Sequence, residues 1–263
     1  MIIIRRKCYI VILILLVTAI IVGNVFPASA TSIDAPYDWC TKPSTNNEFP
    51  LLMDGIDFYN KYNVVCGEKT DEKVIYLTFD AGYDNGTHNV ILDILKEEDV
   101  PATFFFDGNM LKTSGDIVKR AVSEGHIVAN HTLNHPDMTL YKSNKTKYMY
   151  QLEEWNNIYT EITGLEPVKI MRFPMGRYSE RCLQYNDEAG YCSVFWSFAY
   201  YDYDDSDQPL PSFAIQKIMS RVHSGAVMLL HSTSETNSII LDEVIKSLKA
   251  EGYRFGVITE LII

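Results

Sequence analysis

Beyond Lys73 the chain repeats one alternation, a short apolar run followed by a stretch of helical periodicity. Val74–Phe79, Ala102–Phe106, His126–Asn130, Lys169–Phe173, Cys192–Trp196, Ala226–His231 and Arg254–Val257 are short and rich in β-branched or aromatic residues, which suits strands. Between them Thr87–Glu98, Ser114–Ser123 and Ser234–Ala250 are amphipathic, with Ser114 placed as an N-cap and Gly125 and Gly252 as C-cap glycines. Strands alternating with helices imply a parallel sheet covered by helices, an α/β fold. Seven such units in fewer than about 200 residues favour a barrel-like (β/α) arrangement over an open sheet. No internal repeat of useful period points to a solenoid.

In such a barrel the functional residues gather at the C-terminal ends of the strands. Asp80 ends the first strand, His131 the third and His231 the sixth, while Arg172 falls near the end of the fourth and Asp202 a few residues past the fifth. All five are expected on one rim. Asp80 runs directly into Ala81-Gly82-Tyr83, where Gly82 lets backbone approach a ligand, so its carboxylate is a candidate general base; an aspartate in a turn is also a common cap. His131 and His135 stand four apart, and in a helical turn both imidazoles would share one face and one cation. Alone, such a pair is more often a surface or packing accident. His231 suits a general acid because an imidazole titrates near neutrality. Arg172 and Asp202 are candidates for an ion pair that orients the base, whereas Asp204, Asp205 and Asp207 read as a solvated acidic loop.

The N-terminus carries an address. Arg5, Arg6 and Lys7 precede an apolar run from Cys8 to Val22, and Ala28-Ser29-Ala30 has the small-residue form of a cleavage site. Residues 1–30 are expected to be a secretory signal peptide or an uncleaved anchor attaching the protein to a membrane, and either places the working domain outside the cytoplasm. Residues 31–72, rich in Pro, Asn, Asp and Gly, read as an accessory segment, and 73–263 as the catalytic domain. Loss of the leader leaves Cys40, Cys66, Cys182 and Cys192; outside the cell they permit disulfides, Cys40–Cys66 and Cys182–Cys192 being nearest neighbours, with free buried thiols as the equal alternative. The net charge of −11, with no Lys/Arg cluster beyond the N-terminus, argues against a nucleic-acid partner. An aromatic content of 12%, including 17 tyrosines, suits a globular domain with an aromatic-lined cleft.

Taken in order, Thr78-Phe79-Asp80-x-Gly82, His131-Thr132-x-x-His135, Arg172-x-Pro174, the Trp196-to-Asp202 segment and Leu229-Leu230-His231 resemble the five motifs of the polysaccharide deacetylase domain (NodB-homology, carbohydrate esterase family 4). The resemblance covers roughly Lys73 to Ile263. The flanks Ala81-Gly82-Tyr83-Asp84-Asn85-Gly86 and Arg172 to Arg181 look most like the muramic δ-lactam-forming peptidoglycan deacetylases of spore-formers. The resemblance implies a distorted (β/α)7 barrel and a metal-dependent removal of the acetyl group from N-acetylmuramic acid in peptidoglycan strands, leading to muramic δ-lactam in the spore cortex. It also implies roles. Asp80 activates water; His131 and His135 hold a divalent metal, zinc being expected; His231 protonates the departing amine. Arg172 positions Asp80 and Asp202 in turn holds Arg172, while the Met175 backbone N–H meets the oxyanion and Tyr83 lies on the substrate side.

One position departs from the family pattern. The residue after the base is usually a second, metal-ligating aspartate, and here it is Ala81, a change the δ-lactam branch tends to share. Catalytic zinc usually has three protein ligands, so two histidines predict weaker binding or a further ligand such as Asp84 or water. Ala81 and the many tyrosines keep open a catalytically silent glycan-binding protein. A deacetylase of N-acetylglucosamine or of O-acetyl xylan is the other alternative. A glycosidase with paired carboxylates is disfavoured, since Asp80 stands alone at a convincing strand end and the histidines would have no role.

Overall fold

A strand covered on both faces needs a near-continuous apolar run, and residues 74–81, Val-Ile-Tyr-Leu-Thr-Phe-Asp-Ala, supply one broken only by Thr78 and Asp80, with every position buried. The computed structural model describes residues 32–43, 46–52 and 61–262. The leader expected at 1–30 lies outside the described residues, as does most of the stretch from Leu51 to Tyr62. In chain order the elements are β1 (Tyr37–Asp38), β2 (Thr41–Lys42), β3 (Leu51–Leu52), β4 (Val64–Val65), β5 (Val74–Ala81), α1 (Thr87–Glu97), β6 (Thr103–Phe106), α2 (Gly108–Thr113), α3 (Gly115–Ser123), β7 (Ile127–Asn130), α4 (Lys145–Thr163), β8 (Ile170–Met171), β9 (Arg177–Tyr178), α5 (Glu180–Glu188), β10 (Cys192–Val194), α6 (Pro211–Met219), β11 (Ala226–His231), α7 (Glu235–Ala250) and β12 (Arg254–Gly256).

The main sheet is parallel throughout, in the order β11–β5–β6–β7–β8–β10–β4. β11 lies along one edge of β5 from Ile75 to Asp80. The opposite edge is shared: β12 pairs with Val74 to Tyr76, and β6 with Thr78 to Ala81. Isolated bridges from Gly67 to Ala226 and from Phe198 to Met228 span the gap between the two ends of the sheet. This is the distorted (β/α)7 barrel expected from the alternation, and β4 is an additional strand contributed by the 31–72 segment.

Two cores follow from the two faces. Ile75, Leu77 and Phe79 point outward with Phe104 and Phe106 and meet the helices. α1 presents His88, Ile91, Leu92 and Leu95 to them, and α7 presents Ile240, Leu241, Val244, Ile245 and Leu248, the three- and four-residue spacing of an amphipathic helix. Val74, Tyr76, Phe105, Ala129, Ile170, Val194 and Val227 point inward and fill the barrel.

Several local expectations are revised. β8 stops at Met171 rather than Phe173, because Arg172 turns inward to a buried carboxylate and Pro174 has no N–H to continue a ladder. Ser114 stands at the N-cap of α3 but makes no side-chain capping bond, whereas Asp107 caps α2 by accepting from the Met110 N–H. Cys66, Cys182 and Cys192 are free buried thiols, so neither nearest-neighbour disulfide forms. The physical reason for the second is placement: Cys182 packs in the cluster around Tyr148 and Tyr178, and Cys192 in the barrel interior.

The segment before β4 is woven into the same unit, which runs from Ile33 to Ile263. β1 pairs antiparallel with β9, Tyr37 opposite Tyr178. Trp39 then stacks on Phe195 with ring centroids 4.3 Å apart. Its backbone N–H donates to the Gly176 carbonyl at 2.8 Å and its Nε1 to the Trp196 carbonyl at 2.8 Å.

Candidate active site

Side chains two apart on a strand share a face, so the inward set of the barrel predicts what emerges at its C-terminal mouth. After Val74 and Tyr76 come Thr78 and Asp80; after Phe105 comes Asp107; after Ala129, His131; after Val227 and Leu229, His231. Asp80, Asp107, His131 and His231 all line one cleft of about 700 Å³. β11 and β5 pair in a register that sets His231 directly beside Asp80.

Asp80 is anchored by Arg172, whose side chain is fully buried. Arg172 Nη1 donates to Asp80 Oδ1 at 2.6 Å, Nη2 to Thr78 Oγ1 at 3.0 Å and to the Phe195 carbonyl at 3.3 Å, and Nε to the Val194 carbonyl at 3.2 Å. The Phe105 ring lies under the guanidinium at 4.0 Å. Burial pushes the Asp80 carboxyl up, but the charge and hydrogen bond of Arg172, helped by His231, outweigh it and hold the group below its ordinary value. Asp80 is therefore ionised at neutral pH.

Asp202 serves a different partner from the one expected. It makes no hydrogen bond to Arg172; its Oδ1 accepts from His231 Nδ1 at 2.7 Å, and its Oδ2 accepts from the His231 N–H at 2.9 Å and from Asn237 Nδ2 at 2.7 Å. Asn237, in the first turn of α7, also donates to the His231 carbonyl at 3.1 Å. The correction has a topological cause: Arg172 enters from β8 while the Asp202 loop crosses the end of β11. Burial pushes the His231 imidazole down, but hydrogen bonding and charge from Asp202 more than offset it, leaving His231 above its ordinary value. With Nδ1–H committed to Asp202, Nε2 is the nitrogen left for the cleft.

His131 and His135 come together without a helix. The turn holds Thr132 at φ 69° and His135 at φ 51°. Asn130 Oδ1 accepts from the Thr132 N–H at 2.8 Å, and Thr132 Oγ1 from the His135 N–H at 3.1 Å. These side-chain bonds to backbone replace the helical ladder, and the two rings sit 4.9 Å apart at 67°. His131 Nδ1 donates to the Arg172 carbonyl at 3.0 Å, which leaves Nε2 as a lone-pair donor 3.7 Å from Asp80 Oδ2. Burial holds His131 down to about 4 and also lowers His135, so both are neutral and competent to ligate.

These imidazoles fit a divalent cation as two donors. Among the described residues no cluster of three His, Cys, Asp or Glu side chains completes a ligand set. Ala81 is buried and packs with the helix-side core. Asp84 does not replace it: its Oδ1 is 2.8 Å from His88 Nδ1 and accepts from the Gly86 N–H at 2.9 Å, tying it to the start of α1.

Met175 and Tyr83 both border the cleft. Met175 has φ 58° and is 59% exposed, at the head of a tight turn after Pro174. The turn is backed by Gly176, where a Cβ would stand 2.6 Å from the Trp196 ring and 3.2 Å from Trp39. The Tyr83 hydroxyl donates to Asp205, so one residue of the acidic loop is tied to the rim. Sequence reading passed over Thr78, Asn237, Asp107 and Trp39. Two of these had a signal: Thr78 lies two before Asp80 and must share its face, and Asp107 directly follows the 102–106 run, two after Phe105.

An ionised carboxylate beside an imidazole whose protonated form is favoured is what hydrolysis of an acyl–nitrogen bond requires, one to take a proton from water and the other to give one to nitrogen. The site thus fits a hydrolase of the general base and acid type. Residues 67–194 match the family model for polysaccharide deacetylase. The peptidoglycan-N-acetylmuramic acid deacetylase PdaA of Bacillus subtilis strain 168 is 36% identical over 228 residues, 86% of each chain. An uncharacterised 30.6 kDa protein of Geobacillus stearothermophilus is 40% identical over 89% of this chain and 88% of its own. The solved structure of Bacillus subtilis PdaA, a family 4 carbohydrate esterase, superposes with a TM-score of 0.83 at 36% identity, covering 87% of this chain and 97% of that one. The chain belongs to the polysaccharide deacetylase family, hydrolases of carbon–nitrogen bonds other than peptide bonds.

Proposed function

We propose that the chain removes the N-acetyl group from N-acetylmuramic acid in peptidoglycan strands outside the cytoplasm, the step that precedes δ-lactam closure in spore cortex. The adjacency of Asp80 and His231 across paired strands carries the chemistry. The substrate follows the relative named for N-acetylmuramic acid, matched over 86% of both chains. In this reading Asp80, held by Arg172, takes a proton from the attacking water. The Met175 N–H stabilises the tetrahedral oxyanion, Tyr83 lines the substrate side, and His231, favoured in its charged form by Asp202, protonates the departing nitrogen. A divalent ion held by His131 and His135, zinc by the nature of the donors, would supply polarisation of the acetyl carbonyl when bound. The freed amine can then condense with the lactyl carboxyl where no stem peptide occupies it, releasing water. The leader expected at residues 1–30 would deliver the domain to the wall, cleaved or as an anchor.

The test is incubation with peptide-free peptidoglycan strands, muramidase digestion and mass spectrometry. Loss of acetyl from muramic acid and a lactam-bearing muropeptide are expected. Deacetylation confined to N-acetylglucosamine would replace the substrate assignment, and binding without release of acetate would mark a silent glycan binder.

A further inference from the structure

The cleft contains a carboxyl group that none of these steps uses. Asp107 follows β6, is 7% exposed and lines the cleft. Its backbone N–H donates to the Ala81 carbonyl at 3.1 Å, continuing the β5–β6 pairing so that Asp107 stands across from Gly82. Oδ1 accepts from the Met110 N–H at 2.8 Å. Oδ2 is turned to Gly82: a Cβ there would lie 2.8 Å from it, so only glycine leaves the carboxyl this place. The sheet order β11–β5–β6–β7 sets Asp107 on the far side of Asp80 from His231. One strand across, about 4.8 Å, and two residues along, about 6.6 Å, separate it from Asp80 by roughly 8 Å. That is comparable with the reach across a pyranose ring and its substituents.

Resting on the deacetylase reading, we propose that Asp107 is a specificity-determining residue that accepts a hydrogen bond from the C6 hydroxyl of the sugar whose acetamide lies between Asp80 and His231. The chemistry of the strand selects that hydroxyl. In an in-chain N-acetylmuramic acid C1 and C4 are glycosidic, C2 carries the acetamide and C3 the lactyl ether, so C6 holds the one free hydroxyl. A carboxylate is acceptor-only and charge-assisted, which makes a hydroxyl its natural neutral partner. Among the described residues no lysine or arginine lines the cleft to receive a carboxylate substituent at the same place. The lactyl group is thereby directed away from Asp107, and the hydroxymethyl arm toward it.

The experiment compares a synthetic muramic-acid tetrasaccharide with its 6-deoxy analogue. Wild type should show a kcat/KM roughly 10- to 100-fold lower on the analogue, chiefly through KM. Asp107→Ser, which keeps an N-cap acceptor for Met110 but withdraws the oxygen turned to the cleft, should treat the two sugars alike. A purely structural role would lower activity on both sugars and leave their ratio intact, and that result overturns the proposal. Binding is measured separately by calorimetry on Asp80→Asn, which does not consume the sugar. There the tetrasaccharide should bind roughly 10- to 100-fold more tightly than the analogue, and adding Asp107→Ser should erase the difference. Equal affinities on Asp80→Asn sink the role of Asp107 even where hydrolysis is seen. Discrimination in binding with no hydrolysis by wild type upholds Asp107 as a hydroxyl reader and sinks the deacetylase reading instead.

Discussion

Asp202 accepts the Nδ1 proton of His231 at 2.7 Å and leaves Arg172 to Asp80. Asp80 and His231 therefore have separate counter-charges, and each can be perturbed alone. Asp202→Asn removes what raises His231. The basic limb of the kcat/KM profile, where His231 loses its proton, should move to lower pH, with activity near neutrality down roughly 100-fold or more. A stability effect accompanies it. Because His231 is raised in the folded state, its pairing favours folding below about pH 6.5 and fades as pH rises through the folded value. The wild-type advantage in thermal unfolding should thus be larger at pH 5.5 than at pH 9, and a pH-independent difference would contradict the pairing.

Arg172→Lys should behave as a severe change. A single ammonium cannot reproduce four hydrogen bonds from a planar fork stacked on Phe105. Lysine keeps the charge but leaves some of these buried acceptors unpaired at about 1–3 kcal/mol each, so a loss of about 3 kcal/mol is expected, which for a domain of this size is a fall in Tm of roughly 6–12 °C. Calorimetry of the purified variant checks it.

The two-imidazole donor set predicts a cation that mild chelation strips. Ala81→Asp would add a carboxylate beside the apolar helix-side core. Without metal this variant should melt below wild type, and saturating zinc should restore it, since a ligand that binds only the folded state raises its stability. If zinc leaves its Tm unchanged, position 81 does not face the cation.

Trp39 ties residues outside the recognised motifs to the turn that carries Met175. Trp39→Ala should cost roughly 3–5 kcal/mol through lost packing on Phe195. Trp39→Phe retains the ring but orphans the Trp196 carbonyl, a loss of about 1 kcal/mol. Urea unfolding of both variants separates the two contributions.

Cys66, Cys182 and Cys192 should resist alkylation in the native protein. Burial pushes their thiols up to about 12, 11 and 12, well away from the reactive thiolate. Peptide mapping after iodoacetamide should find them modified only once the chain is denatured, with and without prior reduction.

How much of this was legible in the chain depended on range. The apolar runs at 74–79, 102–106 and 226–231 became strands because burial on both faces leaves its mark in composition. Val64–Val65 could not be read, for two valines in a turn-rich stretch become a strand only through pairing with Ser193 and Val194, more than a hundred residues away. The rim was legible from strand ends, but its pairings were not. Whether Asp202 meets Arg172 or His231 is decided by where a loop crosses the mouth. The helical spacing of His131 and His135 anticipated that the two rings meet, but for the wrong reason, since side-chain bonds from Asn130 and Thr132 shape that turn.

β5 is hydrogen-bonded on both edges, to β11 on one and to β12 and then β6 on the other. Its central amides can exchange with solvent only when the whole sheet opens, so their exchange rate reports global unfolding. The 131–135 turn is tied to the same sheet: the His131 N–H donates to the Phe106 carbonyl at 3.1 Å, the Leu133 N–H to the Gln151 carbonyl at 3.0 Å, and the Thr132 carbonyl accepts from the Gly108 N–H at 3.0 Å. Asp80 and the two imidazoles thus ride on backbone that opens together, and any cation the imidazoles hold would have to exchange through the mouth of the cleft rather than by loosening of the turn.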